Sequence, residues 1–204
     1  MKLIGRNFSP YTRRIAIEMA LRGIKHEREY LVLADNPKAG FAYNPLGRLP
    51  VLVLDDGAQL IESGAILDYV SELPAPRKST MPAKGKRRRD CLQVMALATG
   101  VADKAIAAMY EVGKRPAEKV HEPYRQHLLS QATGGLKALE ARTYGPWALG
   151  KTMTQADVTL AVVVSFLQAR MPDLVPAKAY PRLTALAARC EALPAFKAHP
   201  LEKA

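Results

Sequence analysis

A proline break, Leu73-Pro74-Ala75-Pro76, divides the 204-residue chain into two stretches with different local patterning. Before it, short apolar runs alternate with helical ones. Residues 1–5 read as a first strand, and residues 10–22 as a helix ended by Gly23 in a left-handed cap. Residues 29–33 read as a second strand, followed by a short helix or irregular segment at 38–43. Residues 51–54 and 59–61 flank Asp55-Asp56-Gly57-Ala58, the pattern of a hairpin. Residues 62–72 then set Ala65, Ile66, Tyr69 and Val70 on one helical face. This order predicts an α/β domain: a mixed sheet covered by helices.

After the break, strand signals almost vanish and alanine becomes common. Cys91, Val94, Met95, Ala98, Val101, Ala102, Ala105 and Met109 trace an apolar helical stripe. Further helices are predicted over 118–144, 154–170 and 180–193, punctuated by Pro172, Pro176, Pro181 and Pro194. The expected organisation is an α/β domain at 1–75, a linker at 76–83 and an all-α domain at 84–204. Thr154-Gln155-Ala156-Asp157 has the spacing of a capping box, with Asp157 reaching back to the helix start. Asp157 therefore reads as a folding residue.

Chemistry concentrates at Ser9-Pro10-Tyr11-Thr12, between the first strand and the first helix. A helix start offers unpaired N–H groups and partial positive charge, which suit an anion such as a thiolate. Two cysteines at this spacing would form a redox motif. Ser9 and Thr12 hold those positions, so dithiol chemistry is excluded. The only cysteines, Cys91 and Cys190, lie in predicted helices and read as buried free thiols.

The net charge of +11 is unevenly distributed: residues 1–75 hold nine bases and nine acids, so the surplus lies entirely beyond them. Seven bases and no acid fall between Arg77 and Arg89. This run reads as a solvated linker and first helical turn, with a nucleic-acid or anionic-ligand patch as the alternative; with no aromatic interleaved, the nucleic-acid version is the weaker. No uninterrupted apolar stretch of membrane-spanning length occurs, and the opening residues lack a secretory pattern. The expected compartment is cytoplasmic.

Three motifs in order now carry a resemblance. Ser9-Pro10-Tyr11-Thr12 is followed by Asn44-Pro45-Leu46-Gly47-Arg48-Leu49-Pro50 and then by Glu62-Ser63 before an apolar helix. With the Thr154–Asp157 capping pattern, the chain resembles a bacterial, serine-type glutathione transferase over nearly its whole length. The resemblance implies a thioredoxin-like N-terminal domain, an all-helical C-terminal domain and a homodimer. It implies that the hydroxyl of Ser9 activates the glutathione thiol, with Asn7, Tyr11 and Thr12 as open alternatives; Arg13 reads either as setting the local charge or as part of a solvated helix face. Leu49, before a proline that is cis in the family, is implied to hold the cysteinyl backbone, with Arg48 nearby. Glu62 and Ser63 are implied to bind the γ-glutamyl ammonium and carboxylate. The partners implied are glutathione, with no metal, and a hydrophobic electrophile lined by candidates Met95, Met109, Tyr110 and Tyr124. Isomerisation, dehalogenation, ether cleavage and a non-catalytic regulatory role are alternatives on the same fold.

Overall fold

The computed structural model describes residues 1–33, 36–142 and 145–202. They fall into two compact units, one of Met1–Pro82 with Glu191–Ala204, the other of Ala83–Cys190. The C-terminal segment thus belongs with the first unit, whereas the sequence reading sets 84–204 together.

In the first unit, β1 (Lys2–Ile4), α1 (Pro10–Arg22) and β2 (Glu27–Glu29) form a parallel crossover. A short helix, α2 (Pro37–Tyr43), leads to β3 (Val51–Val53) and β4 (Gln59–Ile61), an antiparallel hairpin, and then to α3 (Ser63–Glu72). The strand order is β2-β1-β3-β4, with β1 and β3 antiparallel. This is the thioredoxin-like arrangement. Leu3, Ile4, Val51 and Leu52 are buried in the sheet, and Ile15, Met19, Ile66 and Val70 are buried in α1 and α3.

The second strand lies earlier than expected, at Glu27–Glu29 rather than 29–33. Its partner β1 ends at Ile4, and Gly5 N donates to Glu29 O at 2.9 Å, which closes the ladder there. Charged edge strands are disfavoured by a reading based on hydrophobicity, although charge suits an edge. Gly5, at φ 128°, is needed where β1 meets α1: a Cβ there would lie 2.6 Å from the Thr12 hydroxyl oxygen.

The second unit is built on α4 (Gly85–Gly113), α5 (Glu122–Glu140) and α6 (Gln155–Arg170), with α7 (Pro181–Glu191) following. The α4 stripe runs from Cys91 to Ala108, and Met109 is only half-buried. By length and composition α4 could cross a membrane, with a window of mean hydropathy 1.3. Here its stripe packs against α5 and α6, as in the core helix of a globular unit. The helix expected at 118–144 begins later: a 3-10 turn at Ala117–Lys119 precedes α5, whose first turn holds Pro123. Proline lacks the N–H that an interior position would require, so it starts the helix. The predicted end at 144 lies outside the described residues. The helix expected at 180–193 is α7, and Pro194, which punctuates it, opens a further short helix, α8 (Pro194–Ala198). Asp157 Oδ2 accepts from Thr154 N at 2.8 Å, and Oδ1 accepts from Ala148 N at 2.6 Å. The capping box is present. Cys91 and Cys190 are buried free thiols.

Candidate functional site

Arg48, Leu49, Pro50, Glu62 and Ser63 line one open hollow in the first unit, together with Tyr11 and Asn44. The five residues come from two separate loops, and the fold brings them together. Asn44 shapes the first loop: its Nδ2 donates to Arg48 O at 2.9 Å, while its Oδ1 accepts from Leu46 N at 2.9 Å. Gly47, at φ 59°, lies under the Phe41 ring, where a Cβ would come within 2.8 Å of ring carbon. The loop ends in the Leu49-Pro50 peptide, which is cis.

The second loop turns sharply into α3. Glu62 is the N-cap at φ 64° and ψ 119°, a backbone region that side chains with a Cβ rarely occupy. Its carboxylate is exposed and lies 3.6 Å from Arg48 Nη1 across the rim. Both groups are more than half exposed, so this pair contributes little by itself and yields readily to a ligand. Ser63 occupies the first helical position and is buried. Arg14 Nη2 donates to Ser63 Oγ at 2.6 Å. With its oxygen accepting from a guanidinium, the Ser63 hydroxyl keeps its own hydrogen for an incoming carboxylate, beside the open amides of the helix start.

Ser9 lies outside this lining, at the N-cap of α1, in extended conformation. Its Oγ accepts from Thr12 N at 3.5 Å, the outer limit of a hydrogen bond, so the hydroxyl hydrogen stays available. The other candidates separate clearly. Thr12 is fully buried, with no hydrogen-bond partner for its hydroxyl among the described residues. Asn7 is buried and accepts from Arg28 Nη2 through Oδ1 at 3.0 Å. Tyr11 reaches the hollow.

Sequence reading takes Arg13 as either a local charge or a solvated helix face, and the second of these is corrected here. Arg13 is fully buried and makes paired 2.7 Å bonds to Glu191. Arg14 escaped notice, because only its contact with Ser63, 49 positions away, gives it meaning. Nearby, His199 is held down to about 4 by burial first, then by Arg28, His26 and Arg13. His26 is also lowered, chiefly by burial.

Residues 3–78 match the family model described as Glutathione S-transferase, N-terminal domain, and residues 101–201 match Glutathione S-transferase, C-terminal domain. The chain belongs to the glutathione S-transferase family. An uncharacterized GST-like protein of Escherichia coli K12 is 30% identical over 172 residues, covering 83% of each chain. A glutathione S-transferase of Methylobacterium radiotolerans, solved with glutathione sulfonate, superposes with a TM-score of 0.91 at 27% identity. The match spans 100% of this chain and 96% of that one. A maleylacetoacetate isomerase of Pseudomonas aeruginosa is 30% identical over 210 residues, 98% of this chain and 96% of its own. Members of the glutathione S-transferase family thus include both transferase and isomerase relatives of this chain.

Proposed function

We propose that this protein binds glutathione in the hollow between the 44–50 loop and the start of α3, and transfers its activated thiolate to a hydrophobic electrophile. The observation that carries this reading is the convergence of Arg48, Leu49, Pro50, Glu62 and Ser63 on one hollow. Glu62 suits the γ-glutamyl ammonium; Ser63 and the α3 amides suit the neighbouring carboxylate. The Leu49 main chain suits the cysteinyl backbone, which it would pair as an added strand. A relative solved with glutathione sulfonate supports the same ligand class. Acting as a cytoplasmic homodimer belongs to the same reading.

Ser9 is the proposed thiol activator. A free thiol has a pKa of about 8.5, which leaves a few per cent thiolate at neutral pH. One hydrogen bond to a charged group contributes roughly 1.5–3 kcal/mol, equivalent to about one to two pKa units. The partial positive charge of the α1 N-terminus adds to it. The test is an ultraviolet titration of glutathione thiolate on the protein. Wild type is expected to lower the thiol pKa by about one to two units, and Ser9→Ala to restore most of that. Ser9→Ala is also expected to lower conjugation by about tenfold or more. An unchanged Ser9→Ala enzyme would transfer the role to Tyr11, which lines the hollow where Ser9 does not.

The isomerase relative supports a second reading, in which the same thiolate adds to an unsaturated acid and leaves again after bond rotation. Parallel assays with an aryl halide and with maleylacetoacetate separate the two. Saturable glutathione binding with no lowering of the thiol pKa would favour a non-catalytic role instead.

A further inference from the structure

Residues 191–202 return to the first unit and grip the turn that carries Ser9 from both sides. On the upstream side, Glu202 Oε1 accepts from Asn7 N at 3.0 Å, and its Oε2 accepts from Arg6 Nε at 2.8 Å. On the downstream side, the buried Arg13 donates to both oxygens of Glu191 at 2.7 Å and to His199 O at 2.8 Å. The Phe196 ring lies against the same guanidinium, 5.6 Å from centroid to Arg13 Cζ.

Ser9 hangs between these two anchors. Its N–H donates to Arg6 O at 3.1 Å, and its carbonyl accepts from Arg13 N at 2.9 Å. Arg28 fixes the far side of the turn, donating to Asn7 Oδ1 at 3.0 Å and to Gly5 O at 3.1 Å. The Asn7 backbone N–H has Glu202 as its acceptor, so removing that carboxylate frees the main chain two residues before Ser9. The Arg13 cluster would stay intact, because Glu202 takes no part in it. Placement matters here: a displacement of about 1 Å at a reacting group can cost on the order of 100-fold in rate.

We propose that Glu202 is a positioning residue for thiol activation. It sets the 6–9 turn so that the Ser9 hydroxyl and the α1 N-terminus meet the glutathione sulfur. This inference rests on the reading of Ser9 as the thiol donor.

The experiment compares wild type, Glu202→Ala and Glu202→Gln as full-length proteins. Steady-state kinetics, the pH profile of kcat and hydrogen exchange at the Asn7 amide are measured on each. Glu202→Ala is expected to lower kcat about tenfold, with KM for glutathione changed less than about twofold. The acid limb of its kcat profile should move up by about half a unit or more. Its Asn7 amide should exchange at least about tenfold faster. Glu202→Gln keeps an oxygen acceptor for Asn7 N and should recover most of kcat. The proposal is overturned if Glu202→Ala keeps wild-type kcat and pH profile. It is also overturned if kcat and KM fall away together with cooperative unfolding and Glu202→Gln is no better. A wild-type titration without a lowered thiol pKa would instead remove the Ser9 reading. The Asn7 exchange rates would then still decide whether Glu202 holds the turn, an unchanged rate overturning it.

Discussion

Glu62 sits in a backbone conformation that costs a residue with a Cβ about 1–3 kcal/mol, and it does so where its carboxylate overhangs the hollow. Glycine relieves that strain but removes the carboxylate. Glu62→Gly is therefore expected to melt no lower than wild type, while its KM for glutathione rises about tenfold or more. Melting and kinetics on one preparation check both halves. A lower melting temperature would mean that the conformation is held by local contacts, not tolerated for a ligand. The residues at this rim were reached through the family resemblance, because they occupy two contiguous motifs, and the structure adds that they line one hollow. Arg14 and Glu202 were not. Their partners are 49 positions away at Ser63 and 196 positions away at Arg6, and no local pattern encodes such a meeting.

Elements were legible where hydrophobic periodicity set them and illegible where pairing did or where they were too short. The run at 29–33 looks like a strand, but β1 is too short to pair with it, so the polar Glu27–Glu29 forms β2. The break at Pro194 was legible, but the short α8 beyond it, only Pro194–Ala198, is too brief to show a period. Just beyond α8, His199 makes the segment sensitive to acid. Folded His199 titrates at about 4, against an ordinary value of 6.5. Between those values the unfolded chain binds the extra proton. The stabilisation is therefore complete above pH 6.5 and is lost as pH falls towards 4. The loss is on the order of 1–3 kcal/mol after allowance for screening. Thermal melts at stepped pH should show it, and His199→Gln should lack this contribution, so that its stability falls less steeply than that of the wild type between pH 6.5 and about 4.

At the scale of the whole molecule, the first unit is discontinuous in sequence: it takes its last contributors from beyond Cys190. The division read from the proline break is a statement about local patterning, and it has no access to a segment that rejoins the first unit after the intervening Ala83–Cys190. A variant ending at Cys190 deprives Arg13 of the Glu191 carboxylate, of the His199 carbonyl and of the Phe196 ring that lies against it, and so destabilises the first unit. Hydrogen exchange on that variant should show protection lost in α1 and β1 and retained in α4, α5 and α6. Uniform loss across both units would mean that they unfold as one.

The discontinuity also sets a timetable for synthesis. Chains emerge from the ribosome at about 5–20 residues per second, and domains ordinarily fold in the order in which they emerge. Here that order is inverted for completion. The first unit emerges first but waits for residues 191–202, which are translated only after the whole of the second unit. Until then Arg13 is without its carboxylate, and the Ser9 turn has the Arg28 contacts but not those of Glu202. A nascent protein stalled before Glu191 should carry a formed helical unit while Arg13 and the Asn7 amide still lack the carboxylates of Glu191 and Glu202.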